Sequence, residues 1–355
     1  MEDLYKKLQI RLDEMATGYP ATPTGVEIKL LKQLFTPEHA ELFLDMSTTA
    51  ETPQEVSKRT GRDMDETAQM LEDMALKGLL FRLREEGVPR YFAIPFIVGI
   101  YEFQINNLDK SMLKNISEYY LTGLGGSFHS LKTPHLRTIP INTEMVSKWP
   151  VASYDDAASI IARKDRIAIA PCLCRMAVRM YGKGCDHSLE TCMQFDSFAD
   201  YYVENSMGRY ISKEEALAIL ERNIKEGLVI QPANSKEVEA MCACCSCCCG
   251  MLISLKLFPS PAREVKSNYF CVIDESSCTG CGTCIKRCPV DAVELNDEKA
   301  RMIQDRCIGC GLCVSTCPTS SRSLVRKPED EIYSPPETFF DTFGVMTEEK
   351  GESKG

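Results

Sequence analysis

Apolar residues recur at three- and four-residue spacing along the first part of the chain, as they do on the buried face of a helix. This pattern predicts helices over residues 26–35, 37–46, 53–60 and 64–77. One face of the last helix carries Met64, Ala68, Leu71 and Ala75, and Gly78 is expected to end it. Residues 79–83 and 90–94 are then expected to pair as a β-hairpin around the turn Glu85-Glu86-Gly87.

The elements predicted further along are shorter. Residues 96–108 and 112–121 have the composition of helices, and an S-x-x-D box at Ser153 predicts a helix that runs to about Lys164. Strands are predicted over 167–170 and 228–231, with a helix between them that Ser212 caps and Gly227 ends. Two more strands, 292–295 and 300–303, are predicted on either side of the turn Asn296-Asp297.

The helix–turn–helix and hairpin over residues 26–95 resemble the winged-helix domains of bacterial regulators of the MarR and ArsR kind. That resemblance implies DNA binding through the helix over 64–77. However, this helix and the two residues before it carry five acidic residues and only two basic ones, Arg62 and Lys77. Residues 1–100 are also acidic overall. A surface that displaces counterions from phosphates should be basic. The charge pattern therefore favours a winged helix that docks a protein over one that binds DNA.

The composition indicates the cellular compartment of the protein and the class of partner it binds. The chain has 355 residues with 44% hydrophobic content, which is enough for packed cores, and it contains 19 cysteines. Its first residues lack an apolar signal segment, and its longest apolar stretch, 91–100, is too short to span a bilayer and contains Pro95. These features predict a cytoplasmic protein of a reducing, anaerobic cell, with no membrane insertion. A net charge of −10 disfavours nucleic acid as a partner.

The cysteine motif between Cys278 and Pro318 carries the most specific chemistry. It reads CTGCGTCIKRCP and then CIGCGLCVSTCP, two copies of C-x2-C-x2-C-x3-C-P. This segment closely resembles the bacterial two-[4Fe-4S] ferredoxins, in which the fourth cysteine of each run binds the other cluster. That pattern implies cluster I on Cys278, Cys281, Cys284 and Cys317, and cluster II on Cys288, Cys307, Cys310 and Cys313. Four glycines are expected to let the backbone turn between ligands, namely Gly280, Gly282, Gly309 and Gly311. Cys271 fits neither loop and is expected to be a packed strand residue.

Ten further cysteines lie between residues 151 and 250. Cys172 and Cys174 belong to PCLCR, Cys185 and Cys192 follow, and six more crowd into CACCSCCCG. The last run contains the three-thiolate spacing Cys242, Cys245 and Cys248, which is expected to take a fourth ligand from PCLCR. A second additional site is expected from Cys172, Cys174, Cys185 and Cys192, with His187 as a substitute ligand. Adjacent thiolates are not expected to reach one small cluster together.

Four chemistries remain open for these ten cysteines, and one of them is a redox-active thiol pair such as Cys248-Cys249. One or two further Fe–S clusters are favoured, but zinc also suits four-thiolate sites, and free cysteine packs well as a small core residue. PCLCR together with the cysteine run resembles a cysteine-rich module that precedes ferredoxin domains in proteins of strict anaerobes. That resemblance implies no activity.

Taken together, these patterns predict an α+β multidomain protein. A winged helix with a leading helix is expected over 1–100, a helical linker over 101–150 and an α/β cysteine-rich module over 151–258. A ferredoxin-like two-[4Fe-4S] domain is expected over 267–326. An acidic tail, disordered on its composition, is expected over 327–355.

The function these features favour is iron–sulfur electron transfer. The ferredoxin clusters would conduct electrons, the middle module would be an entry or exit site, and the winged helix would dock a redox partner, an oxidoreductase or flavoprotein. One alternative is a redox-responsive winged-helix transcription regulator. Another is a reductase or reductive activator with its active cluster in the middle module. No G-x-G-x-x-G fingerprint follows a predicted strand, so flavin or nicotinamide chemistry is not expected here, and no catalytic residue is assigned.

Overall fold

The computed structural model describes residues 2–142, 146 and 151–353, and part of the predicted 101–150 linker lies outside them. The chain divides into two compact units. The first contains Met1–Thr133, Asp200–Met207 and Phe343–Gly355, and the second contains Pro134–Ala199 and Gly208–Thr342. The fold is a mixture of helices and small sheets, as the predicted α+β class requires. No helix in the described ranges is both long and apolar enough to cross a membrane.

The first unit is mainly helical. Its helices are α1 Glu2–Asp13, α2 Val26–Leu34, α3 Pro37–Asp45, α4 Pro53–Thr60, α5 Met64–Leu76, α6 Lys110–Tyr119 and α7 Gly125–Ser130. Its strands are β1 Phe81–Glu85 and β2 Val88–Phe92, which pair antiparallel.

Local sequence explains where the first-unit helices begin and end. Thr52 starts α4 with a capping box in which its hydroxyl and the Glu55 carboxylate each bind a backbone N–H, and Pro53 occupies the first turn. Gly61 ends α4 in the left-handed conformation that glycine tolerates best. Asp63 then caps α5 by accepting from two backbone N–H groups. The predicted helices and hairpin over 53–94 are confirmed as elements.

The predicted helix over 96–108 is wrong. Ile97 and Val98 have extended backbone angles after Pro95, and only a short 3-10 turn, Glu102–Gln104, follows. Gly99 also adopts a conformation that is not helical, so the backbone of residues 97–99 interrupts the helix that the apolar run predicts. The apolar side chains are buried all the same, as the composition predicts.

The second unit is built on a five-stranded antiparallel sheet with strand order β5-β3-β4-β7-β6. Its strands are β3 Ile167–Pro171, β4 Glu190–Phe195, β5 Arg209–Ile211, β6 Val229–Pro232 and β7 Ala240–Cys244. The helices in and beside it are α8 Ala157–Ala162, α9 Leu173–Arg179, α11 Lys213–Glu226, α12 Gly250–Leu257 and α13 Pro261–Glu264. Helix α10 Ser197–Glu204 begins in this unit, and its residues from Asp200 onward belong to the first unit. Residues from α8, α11 and the strands share one buried apolar core, among them Ile160, Ile167, Phe195, Ile219 and Ile230.

Caps in the second unit partly follow the prediction. Ser212 caps α11 by accepting from the Glu215 N–H, and Gly227 ends that helix with positive φ, as expected. The box at Ser153 is displaced, because Asp156 is the residue that caps α8, and Ser153–Asp155 form a 3-10 turn before it.

The cysteine-rich C-terminal segment follows the sheet in the same unit. It contains β8 Tyr269–Ile273, α14 Thr283–Arg287, β9 Val293–Asn296, β10 Lys299–Met302, α15 Leu312–Ser315 and β11 Arg322–Arg326. Strand β8 pairs with β11 and β9 pairs with β10, both antiparallel. Asp297 and Glu298 form the β9–β10 turn with φ of 46° and 62°, the positive values that a tight hairpin turn needs.

The prediction of a disordered tail is wrong. The last element among the described residues is helix α16, Phe339–Ser353. In the second unit its first turn is held by a bond from the Phe339 N–H to Glu239 Oε1 at 2.8 Å and by one from Thr342 Oγ1 to Asn234 O at 2.6 Å. Phe339 is buried, so an apolar side chain offsets the acidic composition that suggested disorder.

Candidate metal centres

Two cavities lie in the cysteine-rich C-terminal segment, and each is lined by four of the cysteines of the duplicated motif. The first has about 270 Å³ of free space and is lined by Cys278, Cys281, Cys284 and Cys317. The second has about 310 Å³ and is lined by Cys288, Cys307, Cys310 and Cys313. In each case the fourth thiol comes from the other loop: Cys317 from the second loop and Cys288 from the first.

Glycines allow both loops to turn beside neighbouring backbone. Gly280 has φ of +67°, and a Cβ placed there would lie 2.0 Å from the Glu298 carbonyl oxygen. Gly309 has φ of +69°, and its Cβ would lie 2.2 Å from the Tyr269 carbonyl oxygen. Any other residue would therefore push the loop away from the strand beside it, and the thiols on either side would move as well.

Backbone N–H groups point at the sulfur atoms of both cavities. Ala300 and Gly280 donate to Cys278 Sγ at 3.5 Å each, and these bonds lower the pKa of that thiol. Ala292 donates to Cys288 Sγ at 3.1 Å. Donors of this kind stabilise a thiolate, which is the form of cysteine that binds metal.

Burial alone would keep other thiols of this segment protonated. Burial raises the pKa of Cys310 well above its ordinary value. A buried thiolate therefore needs a nearby cation, which a metal supplies. Sulfur donors around a cavity, with N–H groups aimed at them, fit an iron–sulfur group.

Arg322 and Cys271 also adjoin these cavities. Arg322 is almost fully buried, and its Nη2 donates to Cys284 Sγ at 2.7 Å. Cys271 is a buried residue of β8, as expected, but it also lines the second cavity, and its Sγ lies 3.6 Å from Cys313 Sγ. Spacing along the chain gave no signal for either contact, since both residues are on strands outside the loops.

Four cysteines of the middle sheet form a compact group. The Sγ atoms of Cys185, Cys245, Cys247 and Cys248 all lie within 4.8 Å of one another. Cys185 follows α9, and the other three belong to the turn between β7 and α12. The adjacent residues Cys247 and Cys248 both belong to the group, with their sulfur atoms 3.8 Å apart.

The other six middle cysteines form an extended chain of thiol contacts. Cys192 and Cys242 are cross-strand partners on β4 and β7, with Sγ atoms 3.9 Å apart. The remaining thiols adjoin one another in the order Cys242, Cys244, Cys249, Cys174 and Cys172, and each shifts the pKa of its neighbour in this order.

This division differs from the groups that spacing suggested. The compact group includes Cys185, Cys245 and Cys248 but not Cys242, and it does not include Cys172, Cys174 or Cys192. Side chains alternate between the faces of a strand, so Cys242 and Cys244 lie on one face of β7 together with the cross-strand Cys192. His187, the expected substitute ligand, lies 3.2 Å from Glu226, measured between Nδ1 and Oε2. The sequence offers Cys244 and Cys247 as a competing register of the three-thiolate spacing and Cys249 as one member of a redox-active pair with Cys248. It does not predict that Cys247 joins Cys185, Cys245 and Cys248, although the i, i+2 spacing of Cys242 and Cys244 within a strand was a usable signal for their shared face.

One segment of the chain matches a known protein family. Residues 271–323 match the family model of a 4Fe-4S dicluster domain. No curated protein and no solved structure matches the chain. A dicluster domain together with a cysteine group that could hold a metal ion points to iron–sulfur electron transfer.

Proposed function

We propose that this protein transfers electrons through two [4Fe-4S] clusters held in the segment that matches the dicluster family. Cluster I would be bound by Cys278, Cys281, Cys284 and Cys317, and cluster II by Cys288, Cys307, Cys310 and Cys313. One observation carries the proposal: each of these sets lines one cavity, including the cysteine contributed by the other loop. A thiolate-bound cluster supplies one-electron chemistry at a potential set by charge, hydrogen bonds and exposure.

The surroundings of the two cavities suit electron transfer between them. Arg322 lines the first cavity, and its Nη1 lies 3.7 Å from Met302 Sδ. Met302 in turn lines the second cavity. The walls of the two proposed cluster sites therefore touch through this contact between Arg322 and Met302. In the first cavity, Cys281 is exposed, which offers a point where an electron could enter or leave.

For the first unit we propose a winged helix that docks a redox partner, an oxidoreductase or flavoprotein, and does not bind DNA. The cations that DNA binding would use are paired with carboxylates of the same unit. Arg82 lies 2.5 Å from Glu72 and 2.6 Å from Glu204, and Arg84 lies 2.8 Å from Glu204. Near and on α5, Arg62 pairs with Asp45 and Lys77 pairs with Asp73, each at 2.7 Å. Little free positive charge is left for phosphates.

Metal and sulfide analysis of anaerobically purified protein, with EPR during stepwise reduction, tests the electron-transfer proposal. We expect at least about eight iron and eight acid-labile sulfide per chain, four of each per cubane. We also expect reduced-cluster signals that broaden as both clusters take electrons, because the two sites are close. Fewer than about eight iron in fresh protein, or iron without sulfide, would contradict the proposal.

A further inference from the structure

The four-thiol group of the middle sheet has the dimensions of a site for one metal ion. The Sγ of Cys185 lies 3.6 Å from that of Cys245 and 3.8 Å from that of Cys248, and the Sγ atoms of Cys247 and Cys248 are 3.8 Å apart. In a tetrahedral zinc site the Zn–S distance is about 2.3 Å, so two sulfur atoms stand about 3.8 Å apart, the edge of that tetrahedron. The three measured separations match this edge.

The ligands of a four-iron cluster are spaced differently from those of a single metal ion. Its four thiolates bind four different iron atoms, so they stand around a larger body and farther from one another. Among the described residues, the group of Cys185, Cys245, Cys247 and Cys248 is the one in which three or more such ligand atoms lie within 4.8 Å of one another. The cysteine sets of the duplicated motif line cavities without forming a group of this tightness, as the larger cluster requires. The same chain thus contains both spacings, and the middle group has the tighter one.

A buried cation beside the group supports a negatively charged metal site. Arg175 is fully buried, and its Nη2 lies 3.5 Å from Cys245 Sγ. Its other hydrogen bonds reach the carbonyl oxygens of Ser188 and Ala243 and the Thr191 hydroxyl, 3.1 Å from Nη1. A buried guanidinium without a carboxylate partner is costly unless another anion balances it. Four thiolates on one divalent ion carry a net charge of −2 and provide that balance.

The backbone leaves room for the sulfur atoms to converge. Gly184, with φ of +97°, lies directly before Cys185, and a Cβ there would come within 2.9 Å of Cys248 Sγ. Glycine at this position therefore lets the loop after α9 approach the turn between β7 and α12. Adjacent cysteines can both reach a single ion, whereas two corners of a cluster would require them to spread apart.

We infer that Cys185, Cys245, Cys247 and Cys248 bind one zinc ion in a closed tetrahedral site that ties the loop after α9 to the turn before α12. Binding replaces the four thiol protons, which are released to solvent as the thiolates bind the ion. The site needs no inorganic sulfide. It stands independently of the proposed clusters, because none of its ligands belongs to residues 271–323.

X-ray absorption at the zinc edge tests this assignment on the intact protein, because iron does not contribute at that edge. We expect about one zinc per chain with a single shell of four sulfur atoms at about 2.3 Å. In Cys247→Ser we expect either loss of the zinc or a shell of three sulfur atoms and one lighter ligand at about 2.0–2.2 Å. Iron and sulfide should stay at the wild-type level in this variant.

Cys281→Ser is the matched control, because Cys247 and Cys281 are the two exposed cysteines among the free thiols described. We expect it to lower iron and sulfide and to leave the zinc spectrum unchanged. This pair also separates the two proposals, because failure of the clusters would appear in Cys281→Ser and failure of the zinc site in Cys247→Ser.

Three results would overturn the assignment: wild-type protein without zinc, a zinc shell that is not four sulfur atoms, or loss of iron and sulfide in Cys247→Ser. The wild-type spectrum decides the question by itself if the variant fails to fold.

Discussion

Arg322 donates a hydrogen bond from its Nη2 to the sulfur of Cys284 over 2.7 Å, from an almost fully buried position on β11. If the first cavity holds a cluster, this guanidinium places a positive charge against one of its ligands. Reduction adds an electron to the site, and a nearby cation stabilises the added negative charge. The residue therefore bears directly on the proposed redox potential.

We expect Arg322→Met to lower the reduction potential of cluster I by roughly 60 mV or more, which is a tenfold change in the one-electron equilibrium. Arg322→Lys, which keeps the charge, should shift the potential much less. An EPR-monitored redox titration measures both variants. Equal potentials in wild type and Arg322→Met, with iron content unchanged, would contradict an electrostatic role for this residue.

Cys271 lines the second cavity but lies outside the loop spacing, so we expect it to pack beside the cluster and not to bind it. Cys271→Ala should keep the wild-type iron content. Cys310→Ala should lower it by about four iron per chain, because this thiol is one of the proposed ligands. Iron and sulfide analysis of the two variants distinguishes the roles. Loss of about four iron from Cys271→Ala would make Cys271 a ligand.

Arg82 is the most buried charged group of the hairpin and carries two carboxylate partners, Glu72 and Glu204. Arg82→Met should lower the free energy of unfolding of the first unit by about 2 kcal/mol, because the buried Asn205 Oδ1 loses its hydrogen bond from the Arg82 guanidinium, whereas the two carboxylates remain partly solvated. Arg84→Met is the control, since Arg84 is exposed and its pair with Glu204 should contribute less than about 1 kcal/mol. Urea unfolding followed by far-UV circular dichroism measures the difference. If both variants lower the free energy of unfolding by similar amounts, the burial of Arg82 does not strengthen its interactions.

The paired cations of the first unit also predict weak binding to DNA. We expect no sequence-specific complex between the intact protein and DNA from its own promoter region at about 150 mM salt, because few phosphate contacts are available. Fluorescence anisotropy at several salt concentrations tests this, with an unrelated duplex of the same length as the control. Specific binding that weakens steeply with salt would instead support a redox-responsive regulator.

His135 is buried in the second unit, and desolvation lowers its pKa to about 3. In the unfolded chain the pKa of histidine is about 6.5. Between about pH 6.5 and 3 the unfolded state therefore binds a proton at this residue and the folded state does not. The contribution of neutral His135 to the free energy of unfolding is fully present above about pH 6.5 and is lost as the pH falls from there toward 3. Between pH 7.5 and 5.5 the loss should be about 1.4 kcal/mol.

Thermal melting at the two pH values checks this expectation. His135→Gln should show a smaller decrease in melting temperature between pH 7.5 and 5.5 than wild type. An unchanged decrease in His135→Gln would mean that other groups dominate the pH dependence.

Local sequence was sufficient for the elements whose causes lie within a few residues. The caps at Thr52 and Ser212 and the stops at Gly61 and Gly227 act on the turn that contains them, so helices α4 and α11 could be located from the chain alone. Prediction failed where one local rule was given too much weight. The apolar run after Pro95 predicts a helix by composition, but non-helical backbone angles at Ile97, Val98 and Gly99 interrupt it. In the tail, the acidic composition gives no indication that Phe339 is buried.

The sequence by itself determined the duplicated cysteine loops and the glycines that allow them to turn, because C-x2-C-x2-C spacing and positive φ are properties of short segments. Only the tertiary structure decided how the ten middle cysteines are divided. Cys192 meets Cys242 because β4 pairs with β7, and Cys185 meets Cys245 because a loop folds back onto a distant turn. Such contacts join residues 50 and 60 positions apart. Spacing along the chain carries no information about which strands become neighbours, whereas pairing and side-chain alternation in the folded sheet specify which thiols meet.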